Sequence, residues 1–137
     1  MIHSFKLLIF RKACAIQLEN SVIITGGYTR SIKKNDFSLG TVQEYNLDGS
    51  ETSGLKLPNL RKERMNHACG HYIHNGQTVF IVTGGRGANV GGRHDRLVST
   101  EILTRGESQW RDAGKLPSPR NALQGATIDG NFLVTGE

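Results

Sequence analysis

Short apolar runs, each bounded by Gly, Asn, Asp or Ser, set the rhythm of this chain. Val22-Ile23-Ile24, Val79-Phe80-Ile81-Val82 and Phe132-Leu133-Val134 are the clearest of them. Segments of roughly 4–8 residues rich in Val, Ile, Thr, Tyr and Phe and closed by turn residues are the pattern of β-strands. It predicts strands over 13–18, 21–26, 41–46, 51–57, 66–74, 78–84, 98–104, 109–115, 122–128 and 131–136. Leu18-Glu19-Asn20-Ser21 and Ile128-Asp129-Gly130-Asn131 are tight-turn sequences, and Asp48-Gly49 is a further hairpin signal that favours positive φ. No stretch sustains a helical period with caps. The chain is therefore expected to be all-β.

The strands repeat. Ser21-Val22-Ile23-Ile24-Thr25-Gly26-Gly27 returns as Thr78-Val79-Phe80-Ile81-Val82-Thr83-Gly84-Gly85 and begins again at Asn131-Phe132-Leu133-Val134-Thr135-Gly136. Ahead of each run stands an Arg followed by small residues, at Arg11, Arg64 and Arg120. After each complete run, Gln43 matches Glu101, Thr52 matches Trp110, and Leu57-Pro58 matches Leu116-Pro117. Four strands in a unit of about 50 residues is the arithmetic of a propeller blade.

This ordered set resembles the kelch repeat. The resemblance rests on the Arg-led start, the strand ending in Gly26-Gly27 or Gly84-Gly85, Glu101, Trp110 and the Leu-Pro exit. It covers two units and half of a third, and implies an incomplete ring of four-stranded antiparallel blades. Residues 1–10 form a leading segment, 11–60 and 61–119 two blades, and 120–137 the first half of a third; the remaining blades are expected elsewhere in the same protein. The first unit departs from the pattern with Gln43 and Thr52, and Leu103 replaces the aromatic that Tyr45 supplies.

Each repeat residue has a physical role that needs no ligand. Gly-Gly pairs permit positive φ and close backbone approach. A phosphate cradle would need a helix after Gly84-Gly85, and Asn89-Val90-Gly91-Gly92 follows instead. Glu101 within a strand is expected to be buried and paired with backbone donors or an Arg, since a lone buried carboxylate is costly. Trp110 is expected to pack between blades with its indole N–H satisfied.

His67, His71 and His74 suggest a metal site, but strand alternation puts His74 on the face opposite the other two. No metal or cofactor is expected. Cys14 and Cys69 align on the innermost strands of neighbouring blades and read as two free thiols. With no convincing signal peptide in the Lys6-split N-terminal run, this favours the cytoplasm. No apolar run approaches the roughly 18 residues that span a bilayer, so no membrane partner is expected.

Charge narrows the function. Lys and Arg number 17 against 12 acidic residues, a formal net charge of +5. Most of that excess lies in the long loops 28–40 and 86–98 and the connection 59–65, which a meandering blade brings to one face. Arg30, Lys33, Lys34, Arg61, Lys62, Arg86, Arg93 and Arg96 are the candidate binding residues. Arg forks there would grip carboxylates. The expected partner is a protein or acidic peptide; nucleic acid is not expected, because a basic surface also needs shape and stacking groups. The kelch resemblance implies a non-enzymatic interaction module, as substrate receptor or scaffold. The alternative it implies is a galactose-oxidase-like enzyme. Its copper centre would need tyrosines and histidines together, and Tyr72 and His71 alternate on one strand.

Overall fold

The structure, a computed structural model, describes residues 11–31, 34–47, 55–88, 94–121 and 123–136. It is all-β. In chain order the strands are β1 (Cys14–Gln17), β2 (Ser21–Thr25), β3 (Tyr28–Ser31), β4 (Lys34–Ser38), β5 (Val42–Asn46), β6 (Leu55–Leu57) and β7 (Ala68–His74). They continue as β8 (Gln77–Thr83), β9 (Arg86–Ala88), β10 (His94–Arg96), β11 (Ser99–Thr104), β12 (Arg111–Lys115), β13 (Gln124–Ile128) and β14 (Asn131–Thr135). β1-β2-β5-β6 form one antiparallel sheet and β7-β8-β11-β12 a second with the same order. β13 and β14 pair as a third sheet of two strands. The Asp48-Gly49 turn signal lies outside the described residues.

The segments expected to be long loops are instead partly hairpins. β3 pairs with β4, and β9 with β10, as two-stranded ribbons inserted between the second and third strands of each sheet. Lys34, Asn35 and Asp36 in the first ribbon and Gly87 and Asp95 in the second hide them, since Lys, Asn, Asp and Gly are poor strand formers. Backbone pairing at their bases holds them: Tyr28 N donates to Arg11 O, and Arg86 and Met65 exchange both N–H···O bonds.

The core lies between the first two sheets. Cross-strand partners share a face, so the pairings Cys14↔Thr25, Thr25↔Val42 and Ile16↔Ile23 define the first sheet's inner face. Cys69↔Val82 and Leu103↔Phe80 define the facing side of the second. Ile16, Ile23 and Val42 meet Phe80, Val82 and Leu103 there in one buried cluster. Each such side chain, fully removed from water, contributes about 1.5–3 kcal/mol. Phe132 of β14 lies over β7 of the second sheet and over its own partner β13, where a Cβ on Gly70 or Gly125 would strike its ring.

The two cysteines are not free. Cys14 and Cys69 form a disulfide, with Cα atoms 6.0 Å apart. The sequence alignment had put them in equivalent places, but the register does not. Cys14 pairs with Thr25, whereas Thr83, the counterpart of Thr25, pairs with Ala68. Lys12 and Asn66, both at positive φ, mark the same offset. A one-residue shift reverses the face a strand side chain takes. Cys14 therefore points toward the second sheet and Cys69 back toward the first, and they meet.

Candidate functional site

The segment from Pro58 to Met65 connects the two sheets and is wedged against the second. Its anchor is Arg64, which is fully buried. Its Nη1 donates to Gly84 O at 2.9 Å and Ser99 O at 3.1 Å; its Nη2 donates to Ser99 Oγ at 3.0 Å and Glu101 Oε2 at 2.7 Å. Glu101, 2% exposed, also accepts from the backbone N–H of Arg61 at 2.6 Å and of Lys62 at 3.2 Å. Burial pulls the Arg64 pKa down, and the Glu101 carboxylate pulls it back up. Only Arg64 among the three repeat-opening arginines is buried: Arg11 and Arg120 are exposed, although Arg120 Nη1 reaches Gly136 O at 3.1 Å.

Each double glycine receives the connection that follows its sheet. Gly27 N donates to Arg64 O and Gly85 N to Arg120 O, both at 2.9 Å. All four glycines have positive φ, and a Cβ on Gly26 would collide with Arg64 O. At the outer end of the interface Trp110, 3% exposed, donates its indole N–H to Pro58 O at 2.8 Å.

With Glu101 and Arg64 occupied by each other, the cations beside them are free to face solvent. Arg61 and Lys62 are exposed. They line an open cleft of about 380 Å³ together with Lys115 and Asp112 from β12 and Val98, Ser99 and Glu101 from the β11 side. Three exposed cations oppose the single carboxylate of Asp112 at its rim. Lys115 was not among the expected binding residues; it pairs with Ser99 across β11–β12, which carries it to the mouth of the cleft.

The other expected binding residues divide. Arg96 is exposed on β10, opposite Arg86 on β9. Arg86 is partly buried, with an Nε that has no partner, and its backbone is bonded to Met65. The backbone of Arg30 lies in β3 and that of Lys34 in β4, and β4 packs against β9, so the two ribbons stand side by side. Lys33 and Arg93 lie outside the described residues.

Two further polar links cross between the sheets, and sequence reasoning missed both. Glu44 accepts from Ser21 Oγ at 2.7 Å and from Arg105 Nη2 at 2.8 Å. Burial raises its pKa, but the bonds from Arg105 and Ser21 outweigh this and hold it below the ordinary carboxylate value. His67, 3% exposed, bonds through Nε2 to Thr25 Oγ1 at 2.8 Å. His71 and His74 lie further along, on β7, and the described residues contain no cluster of metal-ligating side chains.

Burial, reinforced by the positive charge of Arg64, pushes the His67 pKa from 6.5 down to about 3. The unfolded chain then takes up a proton near pH 6.5 that the folded chain refuses. Stability attributable to His67 is complete above pH 6.5 and is lost progressively as pH falls toward 3, by up to about 1.4 kcal/mol per unit. Glu44 acts only below its ordinary value of 4.5. Thermal melts between pH 7 and 4.5 should therefore fall steeply for the parent and much less for His67→Gln; equal slopes would refute the assignment.

No protein-family model matches the chain, and no curated protein does. Among solved structures, the chain is similar to that reported as the structure of YjhT, with a TM-score of 0.73 at 15% sequence identity. The match covers 93% of this chain and 39% of that one, so this chain spans well under half of its length.

Proposed function

We propose that this chain is a segment of a kelch-type β-propeller that works as a non-enzymatic protein-interaction module, presenting a basic face to an acidic protein or peptide. The propeller reading is supported by two sheets of identical strand order stacked face to face and a third begun in the same register. Both Gly-Gly pairs bond to the connection that follows. The likeness to YjhT extends over nearly the whole chain. Remaining blades belong to the same full-length protein, and the role is that of a substrate receptor or scaffold subunit.

The observation that carries the functional reading is the cleft. Its cations stand on a rigid base: the Arg61 and Lys62 amides are pinned to Glu101, and Lys115 ends a paired strand. A pre-organised cationic cleft loses little freedom on binding, which favours capture of a carboxylate side chain. Arg96, two residues before Val98 of the cleft lining, adds a further exposed cation.

A fluorescent Glu/Asp-rich peptide should bind the protein, and binding should weaken as salt rises, because exposed charges act over a Debye length of about 8 Å at physiological salt. Reversing Arg61, Lys62 and Lys115 to Glu should weaken it about tenfold or more with the melting temperature little changed, since all three side chains are exposed. Unchanged affinity in the folded triple variant would overturn the reading.

A further inference from the structure

We propose that the Cys14–Cys69 disulfide is a redox-operated latch that locks the innermost strand of the first sheet to that of the second. Its position suits a latch. It joins β1 to β7, which belong to different sheets and share no ladder hydrogen bonds. Its two cysteines are 55 residues apart, so the bond closes a loop that contains the rest of the first sheet and the entire connection.

The surroundings allow the latch to open without dismantling the interface. The apolar cluster, in which Ile16 of β1 takes part, the Arg64–Glu101 pair and the Trp110–Pro58 bond hold the two sheets together whether or not the disulfide is closed. At the inner edge, by contrast, β1 has β2 on one side. Across the gap to the second sheet, the bonds are Asn66 N to Lys12 O at 2.9 Å and His67 to Thr25 at 2.8 Å. Breaking the disulfide removes the covalent tie between β1 and β7 and leaves these weaker contacts to hold that edge.

The two sulfurs also differ in access. Cys69 is 4% exposed, whereas Cys14 is only partly buried. A dithiol reductant can therefore reach Cys14 first. Its thiolate attacks the Cys14 sulfur, the S–S bond breaks, and Cys69 leaves as a thiolate that takes a proton. The second thiol of the reductant then displaces Cys14 from the mixed disulfide. Two electrons and two protons pass from the dithiol to the cysteine pair, and the reductant leaves as its own disulfide. A disulfide oxidant runs the sequence backwards.

The test uses the full chain purified under oxidising conditions. Non-reducing peptide mapping should recover a linked Cys14–Cys69 peptide two hydrogens lighter than the reduced pair. Millimolar dithiothreitol, without denaturant, should reduce it reversibly and lower the melting temperature by about 5 °C or more. Amide exchange in β1 should rise about tenfold or more while that of β11 changes little. The Cys14→Ser/Cys69→Ser double variant should resemble the reduced parent and ignore the reductant. Two free thiols after oxidation would overturn the proposal. So would a bond that dithiothreitol opens only in urea, which would be static, or β1 exchange that reduction leaves unaltered.

Discussion

Replacing Glu101 with Leu should destabilise the protein by about 3–5 kcal/mol, a large part of the roughly 5–15 kcal/mol that holds a domain together. The carboxylate is 2% exposed and takes three donors: the amides of Arg61 and Lys62 and the Arg64 guanidinium. Leu fills the space but strands the fully buried Arg64 without a counter-charge and unpins the connection. Arg64→Met should cost less, because the two amides still serve Glu101. The double variant Glu101→Leu/Arg64→Met should cost less than the sum of the two, since no uncompensated charge remains. Urea denaturation of the four proteins gives the coupling directly. A Glu101→Leu loss below about 1 kcal/mol would mean that the pair contributes little to the junction.

Trp110→Ala should cost a comparable amount, about 3–5 kcal/mol, through the void left in the apolar cluster and the orphaned carbonyl of Pro58. Trp110→Phe separates the two contributions, because it keeps most of the ring volume and loses only the donor. Its cost should approach the roughly 1–3 kcal/mol of an unsatisfied buried acceptor. Acidic-peptide affinity per folded molecule should be unaltered in both. Loss of binding with stability intact would move Trp110 from the interface to the recognition surface.

The sequence made the strands legible because their signals are local. β2, β8 and β14 carry near-continuous apolar runs and stop at Gly, and these features depend on nothing distant. Glu101 and Trp110 could be singled out because a second copy of the unit supplied an offset to count from. What failed was anything that depended on register. Aligning Cys14 with Cys69 follows when small residues after an Arg are matched, but the pairings put Ala68 in the place of Cys14, and alternation turns that one-residue offset into the opposite face. Arg11 divides from Arg64 for the same reason: it occupies the place of Met65, as the paired bonds of Tyr28 and Arg86 reveal. Lys115 was hidden because nothing in a run of Arg111-Asp112-Ala113-Gly114-Lys115 says which strand residue ends beside a distant connection. Glu44 and Arg105 are 61 residues apart, and only the stacking of the sheets joins them.

The two inserted ribbons are closed off at their bases in the same way. Gly26 N bonds to Thr41 O and Leu39 N to Gly27 O; Gly84 N bonds to Ser99 O and Leu97 N to Gly85 O. Each ribbon therefore leaves and re-enters its sheet through a sealed neck, and whatever lies beyond the neck places no strain on the strands. Lengthening such an excursion costs only about 0.6 kcal/mol per doubling of its length. The necks make these two positions tolerant of insertion and natural points for grafting foreign peptide, whereas the connection at 58–65, bonded toward the first sheet through Leu60 and Arg64 and toward the second through Arg61, Lys62 and Met65, would not accept even one extra residue without losing Arg64 from its seat.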